Sequence, residues 1–145
     1  MGDMNSGDRM HVIAHGVDLV EIPRIQAMLL QHGKRFTDRC FTEAEQAYAE
    51  TGRRMRAQRY AARFACKEAV LKALGTGWRE GISWRDVEVR HNALGQPQIA
   101  LSGRCAEVAS RLGIDRWHVS LSHTRAHAIA SVIACGRVSL GDEGS

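Results

Sequence analysis

Only three lysines, Lys34, Lys67 and Lys72, occur in this 145-residue chain, against 17 arginines. Lysine offers a compact ammonium on a flexible stem, able to hold a phosphate oxygen or give up a proton. The arginine guanidinium stays charged at any working pH. The four cysteines, Cys40, Cys66, Cys105 and Cys135, form no C-x-x-C pair, which argues against a structural zinc site and a secreted disulfide framework. No apolar stretch reaches membrane-spanning length, and the first ten residues have no apolar centre of a signal peptide. A cytoplasmic chain with no membrane partner is expected. There is no G-x-G-x-x-G, and Gly75-Thr76-Gly77 is too short for a Walker loop, so neither of those phosphate cradles is signalled.

Twenty basic against 16 acidic residues give a net charge of +4 and an isoelectric point near 9.2, favouring an anionic partner. Arg53, Arg54, Arg56, Arg59 and Arg63 concentrate five of those charges in eleven residues. Such a run reads as a solvated face, or as a surface for phosphate or an acidic partner. No aromatic stacking platform accompanies it, which speaks against nucleic acid.

The length fits one domain able to bury a core of its own. Residues 1–10 read as a flexible leader, 11–136 as the domain and 137–145 as a flexible tail. His11 to Val17 reads as a strand with Asp18 at its exit, followed by a helix opened by Pro23 and capped at Gly33. Thr42-Glu43-Ala44-Glu45 is a capping box for a helix from Glu43 to about Glu50. The longest helix runs from Arg56 to Leu74 and stops at Gly75. Tyr60, Phe64, Leu71 and Leu74 form its apolar stripe. Lys67 falls near the middle of that stripe, so either the helix packs on more than one side or Lys67 reaches a polar site within the fold. Trp84 to Arg90 and Gln98 to Leu101 read as a hairpin, Ser102 as the cap of a helix ending at Gly113, and Trp117 to Leu121 with Ala126 to Ala134 as the last two strands. The mixed order predicts an α+β domain, a mainly antiparallel sheet packed with a long central helix.

Chemistry concentrates at a few positions. Glu68 and Lys72 stand four residues apart, one turn along the long helix. Asp18, at the end of a strand, could join Glu68 as a second hard oxygen ligand, a pair suited to Mg²⁺ with water and substrate phosphate completing the shell. By itself Asp18 reads rather as a residue that caps or starts the turn before the Pro23 helix. Ser120-Leu121-Ser122-His123-Thr124 gathers hydroxyls and an imidazole at a strand end, a natural place for substrate contacts.

Taken together, five segments resemble the holo-acyl-carrier-protein synthase family, the short bacterial type of 4′-phosphopantetheinyl transferase. They are Gly16 to Ile25, Arg39 to Glu45, Arg63 to Gly77, Gly95-Gln96-Pro97, and Val119 to Thr124. The resemblance implies the 4′-phosphopantetheinyl transferase fold. It further implies transfer of the phosphopantetheine arm of coenzyme A to a serine of an apo acyl carrier protein, in fatty-acid or polyketide biosynthesis. Position by position, it implies Asp18 and Glu68 as Mg²⁺ ligands, Glu68 and Lys72 as catalytic groups with Lys72 on the pyrophosphate, and Arg63, Gly75, Pro97, His123 and Thr124 as coenzyme A contacts. Arg24 matches the arginine that meets the carrier protein, and a homotrimer with sites between subunits is implied. Two positions depart from the pattern: Gln96 stands where a lysine is common, and Cys66 where a small alanine is usual.

Overall fold

The computed structural model describes residues 8–79 and 81–139; of the expected leader and tail, residues 1–7 and 140–145 lie outside the described residues. Strand β1 (Asp8–Glu21) leads directly into helix α1 (Ile22–His32), followed by α2 (Lys34–Cys40), α3 (Glu43–Glu50) and α4 (Arg56–Leu74). A 3₁₀ turn at Trp84–Asp86 then introduces β2 (Val87–His91), β3 (Pro97–Leu101), α5 (Gly103–Arg111), β4 (Arg116–His123) and β5 (His127–Ser139). Three strands pair in the order β1-β5-β4 and two in a separate β2-β3 hairpin. Every ladder is antiparallel, so the expected α+β class holds, with the strands divided between two sheets.

Helix α4 packs across the larger sheet, and its sequence says why it sits so close. Ala61, Ala65, Ala69 and Ala73 recur every fourth residue and are buried, facing the buried Ala128, Ala130, Val132 and Ala134 of β5. Small side chains on both surfaces let helix and sheet approach to backbone distance. At Gly16 on β1 a Cβ would stand 1.9 Å from the Ala69 carbonyl oxygen. Only glycine fits there. Away from the sheet, Tyr60 and Phe64 of α4 join Phe36 and Phe41 in an aromatic cluster, with ring centroids 4.8 Å apart for Phe41 and Tyr60.

Lys67 answers the question its position posed, since both alternatives are true: α4 is buried on several sides, and Lys67 reaches a polar site within the fold. Its side chain is 0% exposed. The ammonium donates to Glu45 Oε1 at 2.7 Å and to the Trp84 carbonyl at 3.1 Å, and also to the Val87 carbonyl. Glu45 in turn accepts from the backbone N–H of Thr42 through Oε1, at 2.9 Å, and of Val89 through Oε2, at 3.0 Å. The expected capping box of α3 therefore does a second task, because its glutamate is the counter-ion of the buried lysine. Burial pulls the Lys67 ammonium below its usual range, and the Glu45 charge opposes this.

Several boundaries differ from expectation. β1 starts at Asp8 and β5 ends at Ser139, because their ladder runs Asp8↔Ser139 to Glu21↔His127 and takes in residues assigned to leader and tail. Asp18 does not leave the strand on a turn; it pairs with Ala130 inside the ladder, and the chain turns only where Ile22 N–H bonds the Ala126 carbonyl at 2.8 Å. Helix α2 had no amphipathic signal to announce it, and begins where Gly33, at φ 51°, redirects the chain. Trp84–Asp86 is a 3₁₀ turn because Ser83 and Asp86 cap each other reciprocally.

Lys67→Met should lower the unfolding free energy by roughly 3–5 kcal/mol, since it leaves Glu45 as a buried charge without its partner. A shift of the urea midpoint at unchanged m-value reads this out. A loss of under about 1 kcal/mol, the worth of an exposed pair, would show that the pair does not anchor α4.

Candidate active site

Two residues beyond Gly16 on the same side of β1 stands Asp18, brought against α4 by that close approach. Lys72 Nζ donates to Asp18 Oδ1 at 2.9 Å and to the Val17 carbonyl at 3.1 Å. The Asp18 side chain is 16% exposed and that of Lys72 56%, so the ammonium is reachable from solvent while its partner is largely enclosed. One turn before Lys72, Glu68 is half-buried, and its Oε1 accepts from the Trp78 indole N–H at 3.4 Å. Burial pushes the Glu68 carboxyl above its usual range, and the Asp18 charge adds to this; the Trp78 hydrogen bond, Lys72 and Arg24 oppose it. Helix α4 ends just past Lys72 with Gly75 in the left-handed conformation at φ 77°.

This donor set fits a hard divalent cation. Two carboxylates of like charge share one field, and a cation relieves their repulsion. Among the described residues no group of three or more His, Cys, Asp or Glu gathers. Two carboxylates leave most positions of an octahedral ion to water and phosphate, the habit of Mg²⁺ rather than of a closed protein cage.

A second group of expected residues collects elsewhere on the chain. Arg63 lies five residues before Glu68, about 140° around the helix. It is only 3% exposed, with its guanidinium 4.2 Å from the centre of the Tyr48 ring and Nη2 3.4 Å from His91 Nδ1. Its Nε is buried without a hydrogen-bond partner. Burial holds the guanidinium below its usual range, and burial plus the Arg63 charge do the same to His91. Tyr48, Arg59, Arg63, His91 and His123 line a cavity of about 240 Å³. Pro97 faces His91 in the hairpin ladder, and Thr124 closes the turn after His123, its Oγ1 accepting from the N–H groups of Ala126 and His127. Asp18, Glu68 and Lys72, with Gly75 beside them, thus form one group. Arg63, His123 and Thr124, with Pro97 near, form another on a different face.

Arg24 belongs to a third feature. Its guanidinium lies 5.7 Å from the centre of the Phe64 ring, at the edge of a groove of about 480 Å³ with a rim of Arg24, Arg35 and Arg39 and a floor of Met28, Phe64 and Trp84. The run of arginines is less open than its sequence implied, for Arg56 pairs with Glu50 at 2.8 Å and Arg59 donates to the Tyr48 carbonyl and Thr51. Of the two departures, Gln96 is engaged inside the hairpin turn, accepting from Asn92 Nδ2 at 2.8 Å. Cys66 is buried in the core, its thiol pushed up to about 12 by desolvation. Trp78, Tyr48 and His91 were not singled out from the sequence. The only hint was position: Trp78 follows the glycine turn after Lys72, and His91 opens the hairpin loop.

A family model of the 4′-phosphopantetheinyl transferase superfamily matches residues 14–132, and the chain belongs to that superfamily. Within it, the chain is similar to the holo-[acyl-carrier-protein] synthase of Gloeobacter violaceus, at 50% identity over 121 residues, 83% of this chain and 91% of the relative. Among solved structures it resembles the holo-[acyl-carrier-protein] synthase of Neisseria meningitidis, with a TM-score of 0.78, 31% identity and coverage of 86% and 98% of the two chains. It also resembles that of Helicobacter pylori in complex with coenzyme A, with a TM-score of 0.73, 28% identity and coverage of 83% and 98%.

Proposed function

We propose that this chain transfers the 4′-phosphopantetheine arm of coenzyme A to a serine hydroxyl of an apo acyl carrier protein, leaving the holo carrier and adenosine 3′,5′-bisphosphate. The observation that carries this reading is the convergence of Asp18, Glu68 and Lys72 at the contact of β1 with α4, which supplies two hard oxygen donors beside a solvent-reachable ammonium. Asp18 and Glu68 are the residues that would hold Mg²⁺. When bound, Mg²⁺ neutralises charge on the pyrophosphate of coenzyme A. Glu68 takes the serine proton as the serine oxygen bonds to phosphorus and the bond from that phosphorus to the bridging oxygen breaks. Lys72, already poised on a carboxylate, stabilises the departing bisphosphate and returns a proton to it.

Arg63, His123, Thr124 and Pro97 bind the same coenzyme A, with Gly75 at the reacting end. Because the two groups occupy different faces of one chain, a homotrimer places one group of each subunit beside the other group of its neighbour. The outer face of the sheet supports self-association: Val12, Val17, Leu19, Ile129 and Ile133 are all exposed there, an apolar surface uncovered in the single chain. The acidic carrier docks on the groove edged by Arg24, where basic rim and apolar floor complement an acidic protein surface. All four cysteines are free and buried, which suits a reducing cytoplasm. Among the described residues no helix is long and apolar enough to cross a membrane.

Mass spectrometry of an apo carrier incubated with the enzyme, coenzyme A and Mg²⁺ should show addition of the phosphopantetheine mass. Asp18→Asn and Glu68→Gln should each cut the rate at least about 100-fold and raise the Mg²⁺ requirement, with the fold retained. Undiminished turnover in excess chelator, or a fully active Asp18→Asn protein, would contradict the assignment.

Arg24→Glu should raise KM for the carrier by about tenfold or more and leave KM for coenzyme A unchanged, because it sets a repulsion against an acidic surface. Added salt should act in the same selective direction, since exposed charges are screened within about 10 Å at 0.1 M. Equal effects on both substrates would remove Arg24 from the carrier surface.

A further inference from the structure

Trp78 lies outside the motifs that define the site, yet its indole N–H reaches the Glu68 carboxylate. It sits in the segment after α4, where Gly75, Gly77 and Gly81 all take positive φ, between 58° and 78°. That backbone folds the loop back along the helix it has just left. Phe64 and Glu68 are one turn apart on one face of α4, and two tryptophans bracket this face. The Trp84 ring stacks on Phe64 with centroids 4.7 Å apart and planes 25° apart, and the Trp78 ring lies against Trp84 with centroids 3.4 Å apart. From this seat the Trp78 indole N–H reaches Glu68 Oε1 at 3.4 Å. Trp84 is itself fixed from behind, because its carbonyl accepts from the buried Lys67 ammonium. A continuous set of contacts thus runs from the buried ion pair through Trp84 and Trp78 to the carboxylate.

We infer that Trp78 is a positioning residue for the transfer reaction: its indole N–H occupies one oxygen of Glu68 and fixes the carboxylate plane, so that the other oxygen is presented to the cation and the reacting serine. The inference rests on the reading of Glu68 as a metal ligand and catalytic group. Two features support it. The indole is a donor only, so it favours the ionised carboxylate that a ligand must be. The donor is also held in place by ring stacking rather than by a flexible stem, so its direction is set before substrate arrives. A 3.4 Å contact is long for N–H···O and has room to tighten once ligands fill the site.

The test compares wild type, Trp78→Phe, a protein with benzothienylalanine at position 78, Glu68→Gln, and the Trp78→Phe/Glu68→Gln double variant. Phenylalanine keeps an aromatic ring against Trp84 but has no donor. Benzothienylalanine keeps the indole shape and replaces N–H by sulfur, so it guards against a packing effect. Two quantities are read: binding of Mn²⁺ by electron paramagnetic resonance in the presence of coenzyme A without carrier, and kcat with both KM values. Loss of the donor should weaken Mn²⁺ binding and lower kcat by about tenfold each, the low end for an outer-shell partner. Both KM values should stay within about twofold and the unfolding midpoint near wild type. Removing the donor in the Glu68→Gln background should add nothing, because Trp78 acts through that carboxylate. If the benzothienylalanine protein binds Mn²⁺ and turns over like wild type while Glu68→Gln is impaired, the positioning role is overturned and the reading of Glu68 stands. If Glu68→Gln itself keeps wild-type binding and turnover, that reading falls and the inference with it.

Discussion

Strand β1 and helix α4 meet backbone to backbone at Gly16, where even a methyl group would strike the Ala69 carbonyl. The alanines spaced along α4 and the alanines of β5 extend this close contact along the helix. Its consequence is chemical as well as structural. Asp18 is two residues from Gly16, and Lys72 is three from Ala69, so the same approach that packs the core brings an ammonium within 2.9 Å of a carboxylate. Glu68 precedes Ala69 and shares the field of both. A wider separation of helix and sheet would leave three ordinary surface charges, individually worth little. The narrow one gathers them into a site in which burial and like charge raise one carboxyl above its usual range.

Distance alone does not orient the helix, and the buried Lys67–Glu45 pair supplies a second constraint. Lys67 ties α4 to α3 through Glu45, and to the Trp84–Asp86 turn and β2 through two carbonyls. Buried charge pairs are weak evidence for net stability, but their geometric demands are strict, because a rotated helix would strand both charges in the core. Lys67 directed into the core leaves the adjacent Glu68 directed to the site. The scarcity of lysine acquires a physical reason at both positions: one ammonium must fit an enclosed polar pocket, the other must reach an aspartate and remain reachable from solvent.

Much of this was legible in the sequence because the signals were local. The capping box at Thr42–Glu45 marks the start of α3, and the span Arg56–Leu74 coincides with α4 because glycine ends it where the apolar stripe ends. The anomaly of Lys67 in an apolar stripe correctly announced an internal polar site. What escaped depends on long-range partners. Asp18 looked like a turn residue because nothing local reveals that β5 pairs with β1 as far as Glu21. Helix α2 is too short to show a period. Trp78 and His91 acquire their roles from Trp84 and Arg63, residues six and 28 positions away. The division of the expected coenzyme A contacts between two faces of α4 follows from helical geometry, yet the motif read as one continuous block conceals it.

The Gly16→Ala protein tests most directly whether the approach of β1 to α4 creates the site. The added methyl group lies on the strand, meets the backbone of Ala69 and Ala73, and removes no charged side chain. It must nonetheless push the helix outward from the sheet by more than an ångström, since its carbon would otherwise sit 1.9 Å from the Ala69 oxygen. A misplacement of that size costs about 100-fold in rate when catalytic groups act together. Transfer measured on the folded variant, at a temperature well below its unfolding midpoint, should therefore fall by about that factor. A Gly16→Ala protein that transfers phosphopantetheine at the wild-type rate would contradict it.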